Sequence, residues 1–542
     1  MGVSYGVMNG NERIKVSGIE IAPEERTRVV ELLLRLVQQQ REEFQRLRDE
    51  IARLKGLPRR PVIRPSTLNE PHRDPSHKKK RRGKRPGSAK RHKTVELTIH
   101  ETVPLALEGL PEGTRQNGHE DYVVQDLVFR VHNICYQRLR YLLPDGTPRT
   151  AALPAHVQGH FGAALRSYVL YQYHQNHVTQ PLIYEELVDL GIDISSGQVS
   201  RLLTEGHEAF HQEKDALLPT ARDVSEYFQT DDTGARHRGK NAYTNVIGNP
   251  FFASFTTTES KSRINFLKLL RVPHEEYVVD QDALAYRKEQ GLSQKLLARL
   301  AAVTKKGPRI VVGDKAWRRQ LLQWGIRDEK PQQVVTEGAL VGTLLHHELY
   351  LHQPLLSDDA GQFDVPGFLH ALCWLHAERP LRKLVAFNPR EQEALARVRD
   401  DVWKYYRRLR AYRESPTDQE KARLERDFKE LFTRRTGFRD LNEALRRIYD
   451  KREELLLVLD HPAVPLHNNG SEGDIREWAK KRKIRAGTRS DLGRRCRDTF
   501  VSLKKTCRKP GVSFRRFLQD RIFGKHEILP LPELMRQAAQ EA

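Results

Sequence analysis

Three carboxylate-bearing segments hold the residues best suited to chemistry. Glu226-Tyr-Phe-Gln-Thr-Asp-Asp-Thr-Gly234 reads as a short strand ending in the adjacent acids Asp231 and Asp232. Gln353-Pro-Leu-Leu-Ser-Asp-Asp-Ala-Gly361 repeats that pattern with Asp358 and Asp359. Farther on, Leu466-His-Asn-Asn-Gly-Ser-Glu-Gly-Asp-Ile-Arg-Glu-Trp-Ala-Lys-Lys-Arg-Lys483 reads as a helix. Asn468 or Asn469 can cap it, which puts Glu472 in the first turn, where free amides favour an anion. Arg476 and Lys480 follow at four-residue steps on or near the same face. Acids on two strands and one helix can converge on a pair of Mg²⁺ ions, one activating water or a 3′ hydroxyl, the other stabilising the leaving oxygen. Each segment alone is equally well an ordinary strand end or a solvated, capped helix. Asp314, in Val311-Val-Gly-Asp-Lys-Ala-Trp317, also ends a β-rich run and competes for the second position.

The elements that must position these acids are legible in outline. Asp231 and Asp232 open a three-strand meander continued by Ala242–Gly248 and Phe251–Thr258, with a turn at Asn249-Pro250. Helical sequence follows from Arg263. Between Glu391 and Leu459 the chain is helical and charged, with Trp403, Tyr405, Leu409, Phe428, Leu431, Leu445 and Ile448 as apolar anchors and Pro416 separating two long helices.

The 542 residues carry 93 Lys and Arg against 71 Asp and Glu, a formal charge of +22 that calls for a polyanionic partner. Four scattered cysteines build no disulfide framework, and no apolar run is long enough to span a membrane. A soluble intracellular protein is therefore expected. Residues 24–55 carry a heptad seam through Val30, Leu33, Val37, Gln40, Phe44, Leu47, Ile51 and Leu54, the pattern of a self-associating coiled coil. Residues 56–93, centred on Lys78-Lys-Lys-Arg-Arg-Gly-Lys-Arg-Pro86, read as a disordered basic linker. Residues 94–150 read as a small β-hairpin module built from the runs Tyr122–Val131 and Cys135–Leu143. Within 151–220, Tyr184–Ile192 and Ser195–Leu203 form two short helices around a glycine turn. Either this is a helix-turn-helix presenting Gln198 and Arg201 to a DNA groove, or it is two packed helices.

Four blocks together resemble one family, the insertion-sequence-66 transposases. Thr230-Asp-Asp-Thr233 is similar to its Asp-Glu-Thr motif, with Asp232 in place of Glu. Ser357-Asp-Asp-Ala-Gly-Gln-Phe363 and Ala371-Leu-Cys-Trp-Leu-His-Ala-Glu-Arg379 resemble its second acid and following Cys-x-x-His block. Asn468-Asn-Gly-Ser-Glu-Gly-Asp-Ile-Arg476 is similar to its Asn-Asn-x-x-Glu-Arg-x-x-Arg, with Gly473 replacing the first Arg. Arg482-Lys483 through Gly487-Thr-Arg-Ser490 resembles its Arg-Lys-x-x-x-x-Gly-Ser segment.

That resemblance implies an α/β plus α chain: an RNase H-like core starting at 221–385, a helical insertion at 386–462, the glutamate helix and basic helices at 463–524, and a tail at 525–542. It also implies a transposase that hydrolyses the 3′ ends of its element and joins them to target DNA. A metal-dependent nuclease of the same fold and an inactive DNA-binding derivative are the alternatives. Asp231, Asp358 and Glu472 become the expected catalytic and metal-binding residues, with Asp232, Asp359 and Asp314 as substitutes. The Cys373 to His376 block favours Asp358, and Cys373 and His376 are expected to brace the site alongside Asn468 and Asn469. Arg476, Lys480, Lys481, Arg482, Lys483 and Arg485 are expected on DNA. Two Mg²⁺ ions are expected, with Mn²⁺ as a substitute. No zinc is expected, because the family's cysteine cluster ahead of the helix-turn-helix is missing. Partners would be element ends and target DNA, a second protomer through the coiled coil, and accessory proteins, on the bacterial nucleoid in the cytoplasm.

Overall fold

A computed structural model of the chain describes residues 14–16, 19–21, 98–105, 115, 122–124, 127–154, 157, 159–350, 352–365 and 367–541. The coiled-coil seam and the basic linker lie outside them. Two compact units are present, 1–122 and 123–542. In the first, β1 (Ile14–Val16) pairs antiparallel with β2 (Ile19–Ile21).

The second unit opens on a small hairpin of β3 (Arg140–Leu142) and β4 (Pro148–Thr150). The expected module is smaller than its sequence pattern suggested, because the described residues of Tyr122–Val131 form no strand and stand exposed. Alternation alone does not hold a strand that has no buried face. The helices Gln180–Asp189 and Ser196–Thr204 follow, joined through Gly191 at φ 83°. Ser195 Oγ accepts from the Gln198 amide at 3.2 Å, capping the second helix, and Ile183, Leu187, Val199 and Leu203 bury the pair against the core.

A five-stranded mixed sheet carries the acids. β5 (Phe228–His237), β6 (Lys240–Gly248) and β7 (Ala253–Thr258) form an antiparallel meander. Arg238 and Gly239, both at positive φ, make the two-residue turn between β5 and β6. β5 continues well past its acids, so Asp231 and Asp232 sit mid-strand rather than at a strand end. After β7 the chain leaves to build a separate two-stranded sheet, β8 (Glu276–Val279) with β9 (Arg309–Val312), covered by the helix Glu329–His346. It returns as β10 (Leu355–Ser357), parallel to β5, and β11 (His370–Leu372), parallel to β10. The spatial order is β7-β6-β5-β10-β11.

The outer edge at β7 is closed by the helix Asp491–Arg508. Its Thr506, Ser502 and Asp498 side chains accept from the amides of Ala253, Phe255 and Thr257 at 3.2, 2.8 and 2.8 Å. Four helical residues rise about 6 Å and two strand residues about 6.8 Å, so the two repeats stay in phase over three contacts. Unpaired strand amides are thereby satisfied.

The helices Pro389–Glu414, Asp418–Thr433 and Arg439–Asp450 have their own core of Tyr405, Leu409, Phe428, Leu431, Leu445 and Ile448 around Trp374. Trp403, expected among the anchors, is only partly buried and lies edge-on to Tyr406. No helix among the described residues is long and apolar enough to cross a membrane.

Candidate active site

Alternation along β5 separates the two adjacent acids. Asp231 shares a face with Gln229 and Ala235, and the helix Asn469–Arg485 covers that face through Trp478, which packs with Ala235, Val246 and Phe255. Asp232 points to the other face, where Lys261 ion-pairs with it and Gln362 Nε2 donates to it at 2.6 Å. Neither Lys261 nor Gln362 carried a periodic or motif signal pointing to Asp232. On the neighbouring strand Leu356 pairs with Gln229, so Asp358, two residues on, stands at the level of Asp231. Asp359 is exposed and turned to Lys451 at 3.2 Å.

Glu472 is brought to the same place by its helix start. Asn468 occupies the cap position, yet its side chain does not cap the helix. Instead its Nδ2 donates to the Thr230 carbonyl on β5 at 2.7 Å, tying the helix start to the acid-bearing strand. Asn469 is the first helical residue and is exposed. A Cβ at Gly470 would meet the Gln229 side-chain amide, so the helix start lies directly against β5. Cys373 is buried and its Sγ accepts from the Asn468 amide at 3.4 Å, while its own amide donates to Ser357 O at 3.0 Å. Cys373 therefore braces β10 against the Glu472 helix. His376 Nε2 lies 3.9 Å from Glu472 Oε1, and Arg476 approaches that carboxylate from the solvent side at 3.7 Å.

Electrostatics join the three acids. The Asp231 carboxyl is pushed up to about 7, first by burial and then by repulsion from Asp358, Asp232 and Glu472, against a backbone hydrogen bond from Asp232 that favours the ionised form. Burial and Arg379 lower the His376 imidazole, while Asp358 and Glu472 pull it upward. Asp314 is absent from this set. Lys268, Arg271 and the Tyr277 hydroxyl hold it beside β8 and β9, where it opens the helix Asp314–Gln323. Carboxylates are the donors that hard divalent ions prefer, although Asp231, Asp358 and Glu472 do not bring one oxygen each within 4.8 Å of one another.

The basic run after Glu472 divides by helical face. Arg476, Lys480 and Lys483 are exposed. Lys481 is 1% exposed and set against His174 Nδ1 at 3.0 Å, its ammonium pushed well down by burial and by Arg485, Arg497 and Lys504. Arg482 donates to the Gly234 carbonyl, and Arg485 donates to the Tyr173 and Val178 carbonyls while lying 3.4 Å from the Tyr173 ring centroid. Lys481 is thus buried away from DNA phosphates, a correction to the sequence reading, while the partly buried Arg482 and Arg485 hold the helix to its neighbours. Gln198 and Arg201 bond to one another at 2.9 Å at the surface of their helix.

A family model described as "Transposase IS66 family" matches residues 344–495, which include Asp358 and Glu472. A protein of Sinorhizobium fredii (strain NBRC 101917 / NGR234), titled "Uncharacterized protein y4jO", is 40% identical over 316 residues, covering 58% of this chain and 97% of that protein.

Proposed function

The chain belongs to the IS66 transposase family, and from that premise we propose that it is a DNA transposase of RNase H-like fold, cutting the 3′ ends of its element and joining them to target DNA at Asp231, Asp358 and Glu472. The observation carrying this reading is the placement of Asp358 level with Asp231 on the neighbouring parallel strand, with the Glu472 helix start tied to the same strand through Asn468 and both acids raising the Asp231 carboxyl. The β7-β6-β5-β10-β11 order, with β6 alone running against the other four strands, supports the RNase H-like assignment. Asp231, Asp358 and Glu472 would hold Mg²⁺, or Mn²⁺ in its place. When bound, such ions supply an activated water or 3′ hydroxyl and a stabilised leaving oxygen. The protein's own residues orient the site: Asn468 fixes the start of the Glu472 helix, His376 flanks the Glu472 carboxylate, and Lys261 pairs with Asp232 on the opposite face of the strand while Gln362 donates to it.

Exposed Arg476, Lys480 and Lys483 collect DNA phosphates, and the helix Ser196–Thr204 offers Gln198 and Arg201 for groove contacts. The heptad seam at 24–55 pairs two protomers on the nucleoid. The deciding assay uses labelled terminal-repeat DNA with Mg²⁺ and a target duplex. Wild type is expected to release 3′ ends and join them, and Asp231→Ala or Glu472→Ala to do neither. Cleavage undiminished by both changes removes the site; cleavage without joining leaves a nuclease; binding without cleavage by wild type leaves an inactive derivative.

The division of the basic helix makes a second prediction. Lys480→Ala and Lys483→Ala should each flatten the dependence of log affinity on log salt by about 1 for duplex DNA. Lys481→Ala should leave that slope unchanged. Filter-binding titrations from about 50 to 200 mM salt measure it, and an equal change for Lys481→Ala would contradict the inward orientation.

A further inference from the structure

Outside the acid cluster, His274, Glu276 and His347 bring three ligand atoms within 4.8 Å of one another. His274 Nδ1 lies 3.3 Å from Glu276 Oε1, and His347 Nε2 reaches the same oxygen. The two imidazoles stack with centroids 3.6 Å apart and 17° between their planes, so one ring must turn before both nitrogen lone pairs meet on one ion. All three side chains remain between 19 and 28% exposed, which leaves a path for an ion and for a water ligand. Metal–ligand bonds of 2.0–2.1 Å in a tetrahedral site separate donor atoms by roughly 3.3 Å, the spacing of His274 and Glu276 here. We propose that His274, Glu276 and His347 form a mononuclear site for Zn²⁺ or a similar borderline transition ion, separate from the Asp231 cluster.

The backbone that carries these ligands is held in place without an ion. His274 and Glu276 lie at the entry to β8, and His347 directly follows the helix Glu329–His346. That helix is seated on β8 at Gly342, where a Cβ would stand 2.5 Å from the Val278 carbonyl. Thr343 locks the contact, with Oγ1 donating to Glu276 O at 2.9 Å and accepting from the Val278 amide at 3.2 Å. Beyond His347 the chain turns through Glu348 and Tyr350 at φ 53° and 60°, and Tyr350 is buried edge-on to Phe228 of β5. A bound ion would therefore clamp the start of β8 to the connection that leads into β10 and Asp358. Two imidazoles and one carboxylate select zinc-like ions over Mg²⁺, which prefers an all-oxygen shell. The ligands are about seventy residues apart in the chain and none is a cysteine, so the missing cysteine cluster has no bearing on them.

The test uses the full chain, stripped with EDTA, loaded with ZnCl₂ and desalted. Wild type should retain about one zinc per chain, and Co²⁺ in its place should give a visible d–d absorption. The double variant His274→Ala/His347→Ala should retain neither, while Asp231→Asn should retain zinc as wild type does. Glu276→Gln keeps the side-chain shape and should weaken zinc binding at least about 10-fold; it decides the matter if the double variant misfolds by circular dichroism. Wild type without zinc, or Glu276→Gln binding it as tightly as wild type, overturns the site. Loss of zinc in Asp231→Asn would assign the ion to the acid cluster instead.

Discussion

Asp231→Asn will stabilise the metal-free protein at pH 8 while abolishing its DNA cleavage. The Asp231 carboxyl stands at about 7 in the folded chain against 3.8 for an ordinary aspartate, so the native state holds a proton that the unfolded state releases. Between those two values stability falls as pH rises, and above pH 7 the whole penalty is present. Three units at about 1.4 kcal/mol each set a ceiling of about 4 kcal/mol, and partial solvent access lowers the expected gain to about 2–3 kcal/mol. Asparagine removes the charge but keeps an oxygen for the Asp232 amide, now 2.7 Å away. Urea denaturation should show the gain at pH 8 and its disappearance below about pH 3, where both states of the wild-type acid are protonated. Added Mg²⁺ should stabilise wild type and not the variant, since an ion that binds only the native state adds stability by mass action. A variant no more stable than wild type at pH 8 would mean that burial and the neighbouring carboxylates do not raise the Asp231 carboxyl.

Trp478→Ala should cost about 3–5 kcal/mol, the range for emptying a buried aromatic site. Trp478 is 1% exposed, stacks on Phe255 at 5.9 Å and 13°, and is approached by Arg497 at 5.7 Å. It is the main apolar anchor between the Glu472 helix and the β5–β7 meander. Without it the helix keeps only Asn468 and its buried polar contacts to hold Glu472 opposite Asp231. Cleavage should therefore fall together with stability, and Trp478→Phe should recover much of both. Chemical denaturation and the end-cleavage assay check this; a loss below about 1 kcal/mol would show that the helix is seated by something else.

The meander and the helical segment beyond Pro389 were readable because their apolar periods are local. Pairing of distant acids was readable only as an ordered set of motifs, since nothing near Asp358 states that β10 will lie parallel to β5. The choice between Asp231 and Asp232 needed the sheet: alternation separates them, but which face the Glu472 helix covers depends on a segment more than two hundred residues away. The basic run was misread for a different reason. Lys480 to Arg485 looks like one charged surface when taken consecutively, yet Ser471, Asp474, Trp478 and Lys481 follow the three- and four-residue steps of a buried stripe. Starting from Trp478 and stepping by helical turns would have placed Lys481 and Arg485 inward. The His274, Glu276 and His347 grouping had no such local signal, because a strand start and a helix end meet only through the Gly342 contact.

The three side chains that seal β7 come from Asp498, Ser502 and Thr506, all beyond residue 495, where the family match stops. A fragment that kept the sheet but ended with the family match at residue 495 would leave that margin bare and inclined to pair with its like in neighbouring molecules. A soluble catalytic fragment would have to run from before Phe228 through at least Thr506, so the useful unit for expression and crystallisation is much longer than the family-matched segment.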